Sequence, residues 1–130
     1  MGYTRCWNVN ENELSKGFSP LFINRVKKIV DEAQNKGIII RNWEGIGEPE
    51  INEEIISING NYYEGLDHES FTISSKNSKP WGCKTARKPY DAVVHAILIL
   101  AEEYRYIKNV DSDGYCEMDK ICLELLNKSL

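Results

Sequence analysis

Pro89-Tyr90-Asp91-Ala92-Val93-Val94-His95-Ala96-Ile97-Leu98-Ile99-Leu100-Ala101 is the stretch that decides the fold of this chain. Asp91 follows the proline as a residue suited to cap a helix, and the residues after it are apolar except for His95. A helix that is apolar on every side belongs in the interior, with other elements packed around it. Glu102, Glu103 and Arg105 mark its emergence into solvent. The helix is entered through Trp81-Gly82-Cys83-Lys84-Thr85-Ala86-Arg87-Lys88, where Lys79, Lys84, Arg87 and Lys88 meet no acid until Asp91. A cationic loop feeding a helix start suits an anion, because free backbone N–H groups and the helix dipole both point at it.

Working outward, Tyr3 to Val9 alternates and predicts a strand. Ser19-Pro20 starts a helix in which Phe22, Val26, Ile29, Val30 and Ala33 recur at helical spacing until Gly37. Ile38 to Trp43 reads as a short strand and Glu44 to Asn52 as a loop. Glu54 to Ile58 and Ser70 to Ser74 read as an antiparallel pair, with Ile56 and Ile58, then Phe71 and Ile73, on one face. Ser74 to Pro80 is polar and turn-like, Asp111 to Gly114 is a turn, and a last helix runs from Cys116 to Asn127. The order β-α-β-β-β-α-α predicts one α+β domain over 1–130: a mostly antiparallel sheet of four to five strands with about three helices on one face.

The chain has 130 residues, is 42% hydrophobic and 28% charged, and carries a net charge of −4. That composition is globular, and the acidic balance excludes a general nucleic-acid binder, which needs a broad basic face. A basic loop inside an acidic protein fits a small local anion site instead. The N-terminal stretch has no apolar h-region, and the longest apolar run, 92–101, is about half of what spans a bilayer. The expectation is a cytoplasmic protein with no membrane contact. Cys6, Cys83, Cys116 and Cys122 are scattered, which fits reduced thiols.

Several familiar sites are absent from the sequence. There is no H-x-x-x-H, H-E-x-x-H or C-x-x-C spacing for a metal, so neither metal nor cofactor is expected. Cys83 and Arg87 stand at C-x3-R, not the C-x5-R of a phosphate-cradling phosphatase loop. Asp91 and His95, four apart on one helix, can meet on one face.

Gly2-Tyr3-Thr4 with Trp7, Asn59-Gly60, Phe71 and above all Cys83-Lys84-Thr85-x-Arg87-Lys88-Pro89-Tyr90-Asp91 give the chain a wider likeness. In the order of these signatures it resembles an uncharacterised family of small bacteriophage and prophage proteins. Relatives often carry His-Tyr-Trp where this chain has Arg5-Cys6-Trp7. The resemblance implies a viral setting in the host cytoplasm and no assigned chemistry. Small accessory phage proteins without catalytic motifs often antagonise host defence, some by capturing nucleotide-derived alarm signals. On that analogy the expected ligand is a small phosphorylated, nucleotide-like molecule of cyclic-nucleotide or ADP-ribose type. Lys84, Arg87 and Lys88 would hold its phosphates, and Thr85 and Asp91 would bond to it. Trp81, Tyr90, Tyr3 and Trp7 would face a base. Solvation of the cations and burial of the aromatics are the plain alternatives.

Two other functions stay open. An acidic protein–protein antagonist would use Tyr62-Tyr63 and the acidic segments. A hydrolase degrading a nucleotide signal would use His68 or His95, and ranks last for want of a catalytic motif. A homo-oligomer is compatible with all three.

Overall fold

A computed structural model describes residues 2–76 and 81–130, with the backbone alone at Trp81. The expected turn through Ser74–Pro80 and the cation Lys79 therefore lie partly or wholly outside the described residues. The elements run β1 (Thr4–Val9), α1 (Glu11–Leu14), α2 (Pro20–Asn35), β2 (Glu50–Ile51) and β3 (Ile55–Ile58). A 3-10 turn (Tyr62–Glu64), β4 (Phe71–Ser74), β5 (Trp81–Lys84), α3 (Asp91–Glu103), β6 (Ile107–Ser112) and α4 (Asp119–Lys128) complete them. The class is α+β, as the sequence implies. The strands divide into two antiparallel three-stranded sheets, ordered β5-β1-β6 and β2-β3-β4, rather than forming one.

α3 is the centre of the fold. Ala92, Val93, Val94, Ala96, Ile97, Leu98, Leu100 and Ala101 are all fully buried, so the helix presents no solvent face along most of its length. Truncating Leu98 to Ala would remove about 2–5 kcal/mol by leaving a cavity in this packing. α2 covers one side of it with Phe22, Val26, Ile29, Val30 and Ala33, and α4 adds Cys122 and Leu125. The Ser19 hydroxyl accepts from the Phe22 N–H at 3.2 Å, with Pro20 at the first helical position, so both start signals act as their chemistry dictates.

The β3–β4 pairing sets Ile56 opposite Ile73 and Ile58 opposite Phe71, all buried. From Tyr3 into β1 the extended chain turns Tyr3, Arg5 and Trp7 inward and exposes Cys6. A charged residue thus stands in an inward-facing row between two aromatics. Trp7 meets Phe71 edge-on at 5.3 Å, which joins the two sheets through the core.

The short helix α1 has no counterpart in the sequence reading, and four further segments differ from it. Residues 38–43 make a single bridge, Arg41 with Asn59, rather than a strand. The loop at 44–52 contains β2. The basic stretch begins as β5, paired with β1 from Thr4↔Lys84 to Trp7↔Trp81. Residues 107–112 form β6, whose pairing with β1 slips between Cys6 and Asn8, where Asn109 takes φ +55°.

Candidate functional site

Arg5 organises the polar centre of the molecule. Its Nε donates to Asp91 Oδ1 at 2.9 Å and its Nη2 to Asp91 Oδ2 at 2.7 Å, a bidentate pair with both side chains essentially unexposed. Nη2 also reaches Asp119 Oδ1 at 2.9 Å, and Nη1 donates to the Ser112 hydroxyl at 2.6 Å. The Thr85 hydroxyl donates to Asp91 Oδ1 at 2.6 Å. His95 Nδ1 stands 3.0 Å from Asp119 Oδ1, and the Cys116 N–H points at Asp119 Oδ2 at 3.3 Å. One guanidinium thus ties β1, α3, β6 and α4 together.

Burial alone would lower the Arg5 pKa, but the Asp91 carboxylate outweighs it and keeps the guanidinium charged. Burial, then Arg5, holds His95 below its ordinary value against the pull of Asp119. Burial acts upward on Asp119, yet the Cys116 N–H and Arg5 together hold its carboxyl below the usual range.

The arrangement corrects the expected role of Asp91. Tyr90, not Asp91, stands at the cap position, and no side chain caps the helix. Asp91 is the first helical residue, and its carboxylate turns inward because Arg5 waits there. The expected free N–H groups are also taken. Those of Asp91, Ala92 and Val93 donate to the carbonyls of Lys88, Pro89 and Tyr90 at 2.8, 3.2 and 3.0 Å. The start of α3 is already satisfied by its own backbone and by Asp91 beneath it.

The other expected site residues separate into two groups. Thr85, Tyr90, Tyr3 and Trp7 are interior, which corrects their assignment to a ligand surface. Tyr90 donates its hydroxyl to the Glu69 carbonyl at 2.6 Å, and Tyr3 donates its own to the Gly114 carbonyl. The side chain of Trp81 lies outside the described residues. Lys84 and Arg87 are exposed and Lys88 is half-buried.

These three cations frame a turn of unusual backbone. Ala86 and Arg87 take φ +53° and +58°, and the Thr85 carbonyl accepts from the Lys88 N–H at 3.0 Å. Left-handed central positions in sequence normally hold Gly, Asn or Asp, and each L-residue with a Cβ costs about 1–2 kcal/mol there. Such a turn persists when its surroundings over-determine it. Here Thr85 is anchored to Asp91 before it, and the Lys88 ammonium is fixed after it on the Gly65 carbonyl at 2.7 Å. The Arg87 guanidinium lies 4.6 Å from the Tyr3 ring centroid, and Arg5 lies 5.0 Å from the same ring. The buried cluster therefore holds Tyr3, and Tyr3 carries Arg87.

Tyr115, 67% exposed, is the aromatic that accompanies the turn, its carbonyl 3.5 Å from Arg87 Nη2. Arg5, Ser112, Asp119 and Tyr115 were missed by sequence reasoning. The signal for Arg5 was its place in the inward row of β1. Ser112 and Asp119 carry no local signal, because their partners are remote in sequence.

Cys83 is buried, and burial, then the Glu69 charge, pushes its thiol up to about 12, so it is no thiolate nucleophile at neutral pH. Among the described residues, no group of three or more His, Cys, Asp or Glu could hold a metal ion, and no helix is long and apolar enough to cross a membrane. The chain has no significant match among protein-family models, curated proteins or solved structures.

Proposed function

We propose that this chain is a non-catalytic binding protein that captures a small phosphorylated, nucleotide-derived molecule at its basic turn. In the phage setting its resemblance implies, that molecule is a host alarm signal. The observation that carries the reading is the Ala86–Arg87 turn. Two strained residues in succession display Arg87 outward between Lys84 and Lys88, with Arg87 resting on buried Tyr3 and the Lys88 ammonium held by the Gly65 carbonyl. Pre-organised cations suit a phosphate because little side-chain freedom is lost on binding. Tyr115, exposed and joined to Arg87 through its backbone carbonyl, would supply the aromatic face that buried Tyr3, Trp7 and Tyr90 do not.

The test is native mass spectrometry of protein purified from bacteria with active nucleotide-signalling defences. Release of an intact phosphorylated nucleotide on denaturation is expected. Arg87→Ala removes a charged hydrogen-bond donor worth about 1.5–3 kcal/mol, or roughly 10- to 100-fold in affinity. Its folding should be unchanged, because Arg87 is exposed. If Arg87→Ala retains the nucleotide, the site is misplaced. If a cleaved product is released, capture gives way to turnover.

A further inference from the structure

A second surface borders the basic turn, meeting it where the Lys88 ammonium rests on the Gly65 carbonyl. The loops 42–47 and 59–66 lie side by side, and each carries large exposed side chains. Trp43 is 58% exposed, Tyr62 57% and Tyr63 68%, with Ile46 beside them at 43%. Loops that merely happened to expose aromatics would be slack, and these are braced. The Tyr62 N–H donates to the Gly45 carbonyl at 2.9 Å, and buried Asn59 donates its side-chain amide to the Trp43 and His68 carbonyls, both at 3.0 Å. Asn42 Oδ1 accepts from the Glu44 N–H at 3.0 Å and sits 3.3 Å from the Ile46 N–H. Gly45 has φ +79°, and a Cβ there would meet the Gly60 carbonyl at 3.0 Å and Tyr62 Cβ at 3.2 Å, so the loops touch through a residue with no side chain. The Arg41 guanidinium sits 5.8 Å from the Tyr63 ring centroid, with Nε 3.3 Å from Asn61 Oδ1.

Rigid, exposed Trp and Tyr at the centre of a patch are the composition of binding hot spots, since they bring large contact area with few rotors to freeze. The charge around them selects the partner. From Arg41 to Asp67 the sequence holds seven acids and one base; Glu44 and Glu64 are exposed and directly follow Trp43 and Tyr63 in the chain, and Glu48 is exposed further along the same loop. Arg41, the one base of that segment, is already engaged, and the Lys88 ammonium that reaches the 59–66 loop is held by the Gly65 carbonyl. We infer that this face docks a Lys/Arg-rich segment of another protein. The ammonium and guanidinium groups of that segment would lie on the faces of Trp43, Tyr62 and Tyr63, and the rim carboxylates would neutralise its remaining charge.

The test is titration of the intact chain with a fluorescent Lys/Arg-rich peptide at low and physiological salt, with an acidic peptide of equal length as control. Saturable binding of the basic peptide alone is expected. Tyr63→Ala should weaken it at least tenfold with no change in thermal midpoint, because the ring leans only on surface partners. Glu44→Lys with Glu48→Lys should flatten its salt dependence. Arg87→Ala should leave it untouched, which separates this face from the nucleotide site. No saturable binding at low salt overturns the inference. So does binding that ignores Tyr63→Ala, which reports diffuse attraction to an acidic protein. If sedimentation shows a dimer that Tyr63→Ala dissolves, the face joins two copies of this chain and the inference is also overturned.

Discussion

Asp91→Asn tests the ionic cluster most directly. The substitution keeps the side chain's shape and lets its amide oxygen still accept from Thr85, but removes the charge opposite Arg5. Arg5 is 1% exposed and Asp91 0%, so water cannot replace what is lost. Breaking a buried pair from one side costs about 3–5 kcal/mol, because an uncompensated charge remains inside. Asp119 stays 2.9 Å from Arg5 but is itself 30% exposed, so compensation is partial and the lower end applies, about 3 kcal/mol. With a urea m-value of about 1–3 kcal/mol per molar, the unfolding midpoint should fall by roughly 1–3 M. The assay is urea unfolding followed by far-ultraviolet circular dichroism. A cycle with Arg5→Gln isolates the pair, and the coupling should reach about 2 kcal/mol. A loss under about 1 kcal/mol, or a coupling near zero, would show that Arg5 and Asp91 do not depend on one another, and the account of the site would fail with it.

Three other outcomes follow from the same geometry. Because His95 is held below its ordinary value of 6.5, the unfolded chain takes up that proton first; stability should be level above about pH 6.5 and fall as pH drops below it. His95→Gln should flatten this step in urea midpoints compared at pH 7.5 and 5.5, while a second loss, from Asp119, begins only as pH approaches the ordinary carboxyl value of 3.8. Ala86→Gly should stabilise the fold by about 0.5–1 kcal/mol, read as a raised thermal midpoint, because glycine accepts the left-handed turn without strain. Under native conditions a maleimide should label one thiol per chain, the exposed Cys6, and all four after denaturation; rapid native labelling of Cys83 or Cys122, both pushed up to about 12 chiefly by burial, would contradict their placement.

Where local chemistry decides structure, the sequence was readable. α2 announces itself through Ser19-Pro20 and its periodic apolar face, β3 and β4 through strict alternation, and α3 through the length of its apolar run. β6 was hidden because Asn109 breaks the alternation of an edge strand whose only well-buried residue is Ile107. β5 was hidden because Lys84 and the cations just after the strand read together as a loop, although a strand needs an apolar face only where it is covered. In the candidate site, the sequence draws attention to the cations Lys84, Arg87 and Lys88 but not to the buried groups beneath them. Those buried groups have no local signature, since the direction of the Asp91 carboxylate is set by an arginine 86 positions earlier.

That separation also governs how the protein comes together. The bonds of Arg5 to Asp91, Ser112 and Asp119 span 86, 107 and 114 positions. Contacts so remote are among the last a chain can close, because loop entropy must be overcome before they contribute. A strand bearing an unmatched guanidinium has little to gain from docking early. During synthesis β1 would therefore wait, solvated, until α4 has cleared the ribosome. The residue that locks the finished fold would thus also keep its first strand from settling prematurely.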